Sequence, residues 1–132
     1  SMASMLWITR IHNAIASVAP MRKIVALAND YKERRSTFGK KLKDHDLFVN
    51  NLAILDKTHR GHLLFLLECT TLLQDIDFNK DSKLKQDLRL FTPVLKLFSA
   101  KDCMWVVSEG LECFGGLGYM ENTGIPKILR DA

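Results

Sequence analysis

The chain has 132 residues and a mass of 15.0 kDa, of which 47% are hydrophobic and 26% charged, with a formal charge of +4 and an isoelectric point near 9.1. This is the composition of an ordinary soluble globular domain, and without an apolar run of the ~20 residues that a bilayer requires it excludes a membrane-spanning helix. Three cysteines with no CxxC spacing, set among apolar residues at helical intervals, read as buried free thiols rather than a disulfide framework or a metal site.

Ser1 and Met2 read as a cloning remnant with no targeting segment behind them, which leaves residues 3–132 as the expected domain. Over residues 4–34 the apolar positions Ile8, Ile11, Ile15, Val18, Ile24, Leu27 or Ala28, and Tyr31 recur at spacings of three and four, one face of a long amphipathic helix. Pro20 lies inside it and removes an amide donor, so a kink or local break is expected there. Arg34 and Arg35 suit the negative end of the helix dipole, and Gly39 gives the next loop its conformational freedom. The basic cluster from Lys32 to Lys43 serves either to hold phosphates or to solvate that helix end.

A second helix is expected to start near Asp44 or Asp46 as a cap and to run to about Gln74 through Leu52, Leu55, Leu63, Leu66 and Leu73. Gly61 weakens that helix without ending it. Asp56, His59 and His62 fall at three-residue intervals, a spacing that can present a metal-binding face but more often belongs to surface or satisfied core histidines. The polar stretch 75–82 reads as the connection to a third helix, with Asp81 or Ser82 as its cap. That helix carries Leu84, Leu88, Phe91, Leu95, Phe98, Met104 or Trp105, Ser108, Leu111 and Phe114, and Pro93 either kinks it or restarts it behind Thr92. No period-two pattern predicts a strand. Three long helices and a short last one predict an all-α, antiparallel up-and-down bundle of the four-helix type.

Residues 115–119 (GGLGY) close the third helix with glycines that let another backbone or a ligand approach. Without a preceding strand they are no dinucleotide-binding turn, and no nucleophile elbow or phosphate-loop motif stands elsewhere.

Taken together, RSTFGKKL at 35–42 with His45 three residues on, LECFGGLGY at 111–119 and LRDA at 129–132 resemble the C-terminal helical domain of the FAD-dependent acyl-CoA dehydrogenases over nearly the whole chain. THRGHLL in the second helix, LRLFTPVLKLFSAK in the third and LECFGGLGYMENTGIP after it resemble the subgroup that contains the bacterial alkylation-response protein AidB. The resemblance implies a homo-oligomer, dimer or tetramer, built on this bundle, with the RxxFG loop reaching a neighbouring subunit's FAD. Arg35 then contacts the pyrophosphate through its planar fork of donors, with Thr37 and Phe38 beside it. Gly116 permits close backbone approach. Glu112 stands where many relatives have glutamine, and a carboxylate cannot donate to phosphate, so it must turn away or the cofactor must sit differently.

On the first helix Arg10 matches the family's arginine near the acyl-CoA pocket, with Thr9 its neighbour. The resemblance further implies α,β-dehydrogenation of a fatty acyl thioester, and a mitochondrial matrix location with peroxisome or cytoplasm as alternatives. Most members carry the proton-abstracting glutamate a few residues beyond Arg-Asp-Ala and some carry it at the position of Thr9, so no catalytic residue is expected within this chain, which is expected to be inactive by itself and to hold FAD only within the full-length oligomer. The competing expectation is a catalytically silent interaction module or natural short isoform, touching nucleic acid through Lys40, Lys41 and Lys43 if at all.

Overall fold

The computed structural model describes residues 2–79 and 82–132. Helix α1 spans Met2–Arg34, α2 Asp46–Asn79, α3 Ser82–Glu112 and the short α4 Ile125–Arg130. Consecutive long helices run antiparallel, so α1 and α3 lie parallel, and these two share the largest helix contact in the bundle. The expected all-α bundle is therefore the observed one.

The core is drawn from one stripe of each helix. It comprises Ile11, Ala14, Val18, Met21, Ile24, Val25 and Ala28 from α1, Leu52, Leu55, Leu66, Cys69 and Ile76 from α2, and Leu88, Leu95, Cys103, Val106, Val107 and Leu111 from α3. Ile125 and Ile128 of α4 close one end. Residues recurring at i, i+3, i+4 and i+7 explain why each segment is helical, since only that period buries one apolar face. At Gly110 α3 packs tightly on α1: a β-carbon there would lie 2.6 Å from Ile24 Cγ1 and 3.0 Å from its Cγ2.

Several sequence expectations change. Ile8, Ile15 and Leu27 face outward, because α1 is apolar on two sides and the inner one is set by Ala14, Met21 and Val25. In α3, Phe98, Met104, Trp105 and Ser108 also lie outside, while Thr92, Ser99 and Cys103 turn inward. Small residues let that face approach its neighbours, and the two hydroxyls are satisfied within their own helix, Thr92 Oγ1 donating to Leu88 O and Ser99 Oγ to Lys96 O. Thr92 is thus a buried interior residue and not a cap. Both Pro20 and Pro93 lie inside uninterrupted helices. Helix α2 continues past Gln74 to Asn79 because Ile76 is buried in the core, so the polar connection is shorter than expected, and the cap proposed at Asp81 lies outside the described residues. Asp46 opens α2 from within its first turn, and Asp44 ends a preceding 3-10 turn, Leu42–Asp44.

Residues 36–41, for which no strand was expected, form a two-stranded hairpin of β1, Ser36–Thr37, and β2, Lys40–Lys41. Phe38 and Gly39 make its turn with φ of 51° and 83°. Two positive values in succession match the twist of a tight hairpin, which is why glycine serves at the second position.

Candidate functional site

The C-terminal ends of α1 and α3 meet at an open groove of about 630 Å³. One wall is Tyr31, Arg35 and Thr37, and the other is Glu112, Cys113, Phe114, Gly115 and Gly116, with Leu42, Phe48 and Met120 at the margins. Tyr31 and Phe114 hold the walls together, their ring centroids 5.0 Å apart at 38°. Behind them the 3-10 turn Gly115–Tyr119 folds back on the last turn of α3, close enough that a β-carbon on Gly118 would lie 2.2 Å from Leu111 O.

The first wall is fixed by the hairpin. Leu42 N donates to Arg35 O at 2.9 Å, and the His45 ring donates from Nε2 to Thr37 O at 3.1 Å, with Thr37 Oγ1 at 3.3 Å from the same nitrogen. This fixes the protonated nitrogen as Nε2 and holds the threonine side chain toward the groove. Arg35 is exposed, and among the described residues no carboxylate pairs with its guanidinium, so its donor fork is free for an anion. Phe38 sits on the hairpin tip, 99% exposed, and does not line the groove.

On the second wall, Glu112 is exposed and its Oε1 accepts a hydrogen bond from Tyr119 Oη at 3.2 Å. That hydrogen bond raises the Tyr119 phenol, since only the protonated form can donate it, and the negative charge of the carboxylate adds to the effect. Gly116 is open on the groove side: a β-carbon there would meet nothing within 4 Å. Cys113 is half-buried, and burial pushes its thiol up to about 11, leaving it inert as a nucleophile.

Four of the residues named from the sequence, Arg35, Thr37, Glu112 and Gly116, therefore share one groove, with Phe38 just outside it. Arg10 and Thr9 lie elsewhere, roughly 37 Å from Arg35 along α1 at the helical rise of ~1.5 Å per residue. Arg10 is half-buried in a second groove, whereas Thr9 is exposed and its hydroxyl donates to Met5 O. Tyr31, Phe114 and Tyr119 are the site residues that sequence reading missed. The signal available was an aromatic at each helix end, which has meaning only once the two ends are known to touch.

The basic cluster is partly neutralised. Lys43 Nζ donates to Glu33 Oε2 at 2.8 Å, and that contact lowers the glutamate's pKa and raises the lysine's, while Lys40 Nζ donates to Asp44 O. The histidines of α2 serve two different ends. His62 donates from Nε2 to Asp102 Oδ2 at 2.6 Å, joining α2 to α3, while His59 is buried with both ring nitrogens unpartnered and its Nδ1 3.8 Å from Asp56 Oδ1. Among the described residues no three His, Cys, Asp or Glu side chains are grouped to hold a metal ion.

Against known proteins, the family model described as "Acyl-CoA dehydrogenase, C-terminal domain" matches residues 1–132. The chain is 48% identical to acyl-CoA dehydrogenase family member 11 of Caenorhabditis elegans over 98% of its own length and 21% of the relative's. It is 32% identical to the putative acyl-CoA dehydrogenase AidB of Escherichia coli over 93% of its length and 22% of that protein's. The crystal structure of C. elegans ACDH-11 in complex with C11-CoA superposes with a TM-score of 0.92 at 48% identity, covering 96% of this chain and 22% of that one. The chain thus spans about a fifth of the length of these relatives.

Proposed function

Because the chain belongs to the acyl-CoA dehydrogenase family, as its C-terminal domain, we propose that residues 3–132 form the helical module that supplies one rim of the FAD site and the oligomer contacts of a fatty acyl-CoA dehydrogenase. Members of this family are FAD flavoproteins, bind acyl-CoA and are oligomeric. The observation that carries the reading is the meeting of Arg35 and Thr37 with Glu112 and Gly116 on one groove.

The groove's chemistry fits a dinucleotide. Arg35 offers parallel N–H donors to phosphate oxygens, and the Thr37 hydroxyl a further donor. Tyr31 and Phe114 give an apolar wall, and the open face of Gly116 lets a ligand reach the backbone. Glu112 can only accept, so it suits a ribose hydroxyl rather than phosphate, and its bond to Tyr119 draws the carboxylate toward the 3-10 turn. Phe38, exposed at the hairpin tip, is placed to meet a neighbouring subunit.

Bound FAD would supply the hydride acceptor for α,β-dehydrogenation of an acyl thioester. The chain's own residues bind and orient, and we assign none of them the proton-abstracting role. Arg10 is read as the acyl-CoA-side contact. Thr9 stays its neighbour in that reading, with its hydroxyl donating to Met5 O. Self-association is supported by large apolar side chains left outside the core, Leu64 and Leu67 on α2 and Leu90, Leu97 and Phe98 on α3, each more than half exposed.

The test is FAD titration of the chain and of the longer protein that contains it, read by flavin fluorescence. Arg35→Gln should weaken binding at least about tenfold, since a hydrogen bond to a charged group contributes ~1.5–3 kcal/mol. Equal affinity of the variant and the unaltered chain would overturn the assignment, and a strict monomer by light scattering would remove its oligomer part.

A further inference from the structure

Where α1 gives way to the hairpin the chain reads Arg34-Arg35-Ser36-Thr37-Phe38, so Thr37 has arginines two and three residues before it and an apolar side chain directly after it. Protein kinases select substrates by such charge patterns: acids lining the cleft meet cations ahead of the acceptor hydroxyl, and an apolar pocket takes the residue behind it. Ser36 has both arginines one place too near and a threonine behind it. The fold keeps this stretch on the surface, with Arg34, Arg35, Ser36 and Phe38 exposed and Thr37 half-buried. A kinase cleft takes its acceptor in extended form. Ser36 and Thr37 are already strand, and only the turn at Phe38 and the end of α1 at Arg34 have to open. Little resists that opening: the ladder has two residue pairs, a length that is marginal by itself, and the Arg34 side chain pairs with Asp30 at the surface.

Cations also stand ready around Thr37. Lys40 lies directly opposite it across the ladder, where side chains share a face, and Arg35 lines the same wall of the groove. Among the described residues no carboxylate oxygen lies within 4 Å of a side-chain nitrogen of Arg35 or Lys40, and Lys40 Nζ donates instead to Asp44 O. His45 Nε2 is 3.3 Å from Thr37 Oγ1.

We infer that Thr37 is a phosphorylation site for a basophilic serine/threonine kinase, and that its phosphate, held by Arg35 and Lys40, closes the FAD-side groove. Thr37 Oγ1 attacks the γ-phosphorus of ATP, the bond from that phosphorus to the β–γ bridging oxygen breaks, the hydroxyl proton passes to the kinase's base, and ADP leaves. The product adds a charge of about −1.5 to −2 and three strong acceptor oxygens beside two cations that have no carboxylate partner. It takes up the Arg35 donor fork that is otherwise open to a ligand's phosphate, and it repels that phosphate. The closing of the groove rests on its FAD reading, whereas the modification and the seating of its phosphate do not.

The experiment incubates the folded chain with ATP and the catalytic subunit of the cyclic-AMP-dependent protein kinase as the basophilic probe, and maps the product by tandem mass spectrometry. The expected result is a single phosphate on Thr37, abolished by Thr37→Val, retained by Ser36→Ala and added at least about tenfold more slowly to Arg34→Gln. In a phosphorus NMR titration the second ionisation of that phosphate should fall below its value in the denatured chain and move back toward it in Lys40→Gln. In the longer protein that contains the chain, saturating FAD should slow the labelling, and prior labelling should weaken FAD binding at least about tenfold. Phosphate on Ser36, or labelling confined to the denatured chain, would overturn the site. Equal phosphate titration in the folded and denatured chains would overturn its seating by Arg35 and Lys40, and unchanged FAD affinity would overturn the closing of the groove. Should the unlabelled longer protein bind no FAD, the FAD reading falls and the closing with it, while the mapping and the titration still decide the site. Circular dichroism verifies that each variant is folded.

Discussion

Gly116 and Gly118 stand two residues apart in the same 3-10 turn, yet a methyl group added to each should have opposite results. At Gly118 the new β-carbon would lie 2.2 Å from Leu111 O, 3.1 Å from Leu111 C and 3.2 Å from Leu111 Cδ2. The nearest obstacle is backbone in the last turn of α3, and Leu111 is itself 3% exposed, so neither side can yield without disturbing the core. Overpacking of this kind costs up to ~3 kcal/mol, and loss of glycine's extra freedom in the unfolded chain returns ~0.5–1 kcal/mol, leaving a net loss of about 2 kcal/mol for Gly118→Ala. With an unfolding entropy of ~2.1 cal/mol/K per residue over 132 residues, that lowers Tm by about 7 °C. Gly116 has open space around it, so Gly116→Ala should leave Tm within about 2 °C of the unaltered chain while impairing FAD binding by filling the groove. Thermal unfolding followed by far-ultraviolet circular dichroism reads the first quantity and flavin titration the second. If Gly118→Ala melts with the unaltered chain, or Gly116→Ala falls as far as Gly118→Ala, the close seating of this turn on α3 is wrong.

Burial depresses the His59 imidazole below its ordinary 6.5, against opposing attraction from Asp56 and with added repulsion from Arg22 and Arg60. The unfolded chain then binds the proton more readily, so stability from this residue is full above the ordinary value and is lost as pH falls through it. Denaturant midpoints measured between about pH 7 and pH 5 should fall more steeply for the unaltered chain than for His59→Leu, and parallel slopes would show that the ring is not desolvated. Cys69 and Cys103 have thiols pushed up to about 11 by burial against an ordinary 9.0, so at a given pH each carries roughly a hundredth of the usual thiolate. Reaction with a thiol reagent should be at least about a hundredfold slower in the native chain than in denaturant, and labelling of either at the unfolded rate would contradict the packing.

The helices were legible because their periodicity is strong, and their phase was less so. Leu52, Leu55 and Leu66 announce the inner face of α2 correctly, since they keep one helical stripe across the run 56–62, which holds no apolar side chain. On α1, Ile8 and Ile15 are as apolar as Ile11 and Ile24, and only tertiary contact decides which row is inside. The extension of α2 to Asn79 was obscured by the polar residues around Ile76, which carries the period onward. Strands of two residues have no period to detect, so the hairpin at 36–41 was accessible only through its turn, where Phe38 adopts a conformation uncommon for a bulky residue. The groove itself joins helix ends far apart in the chain. Its arginine and its glycines could be named through family resemblance, but the aromatic contact of Tyr31 with Phe114 and the bond from Tyr119 to Glu112 exist only in three dimensions.

Gly110 and Ile24 occupy what is in effect one shared volume between α1 and α3. Evolution can therefore spend that space on either helix but not on both. In relatives where a methyl or larger group appears at the position of Gly110, the residue opposite should have shrunk to valine or alanine, and the two positions should change together across the family. A chain that enlarged only Gly110 would have to spread its two parallel helices, and because both grooves are built across that same pair, the spacing of their walls is tied to this one contact.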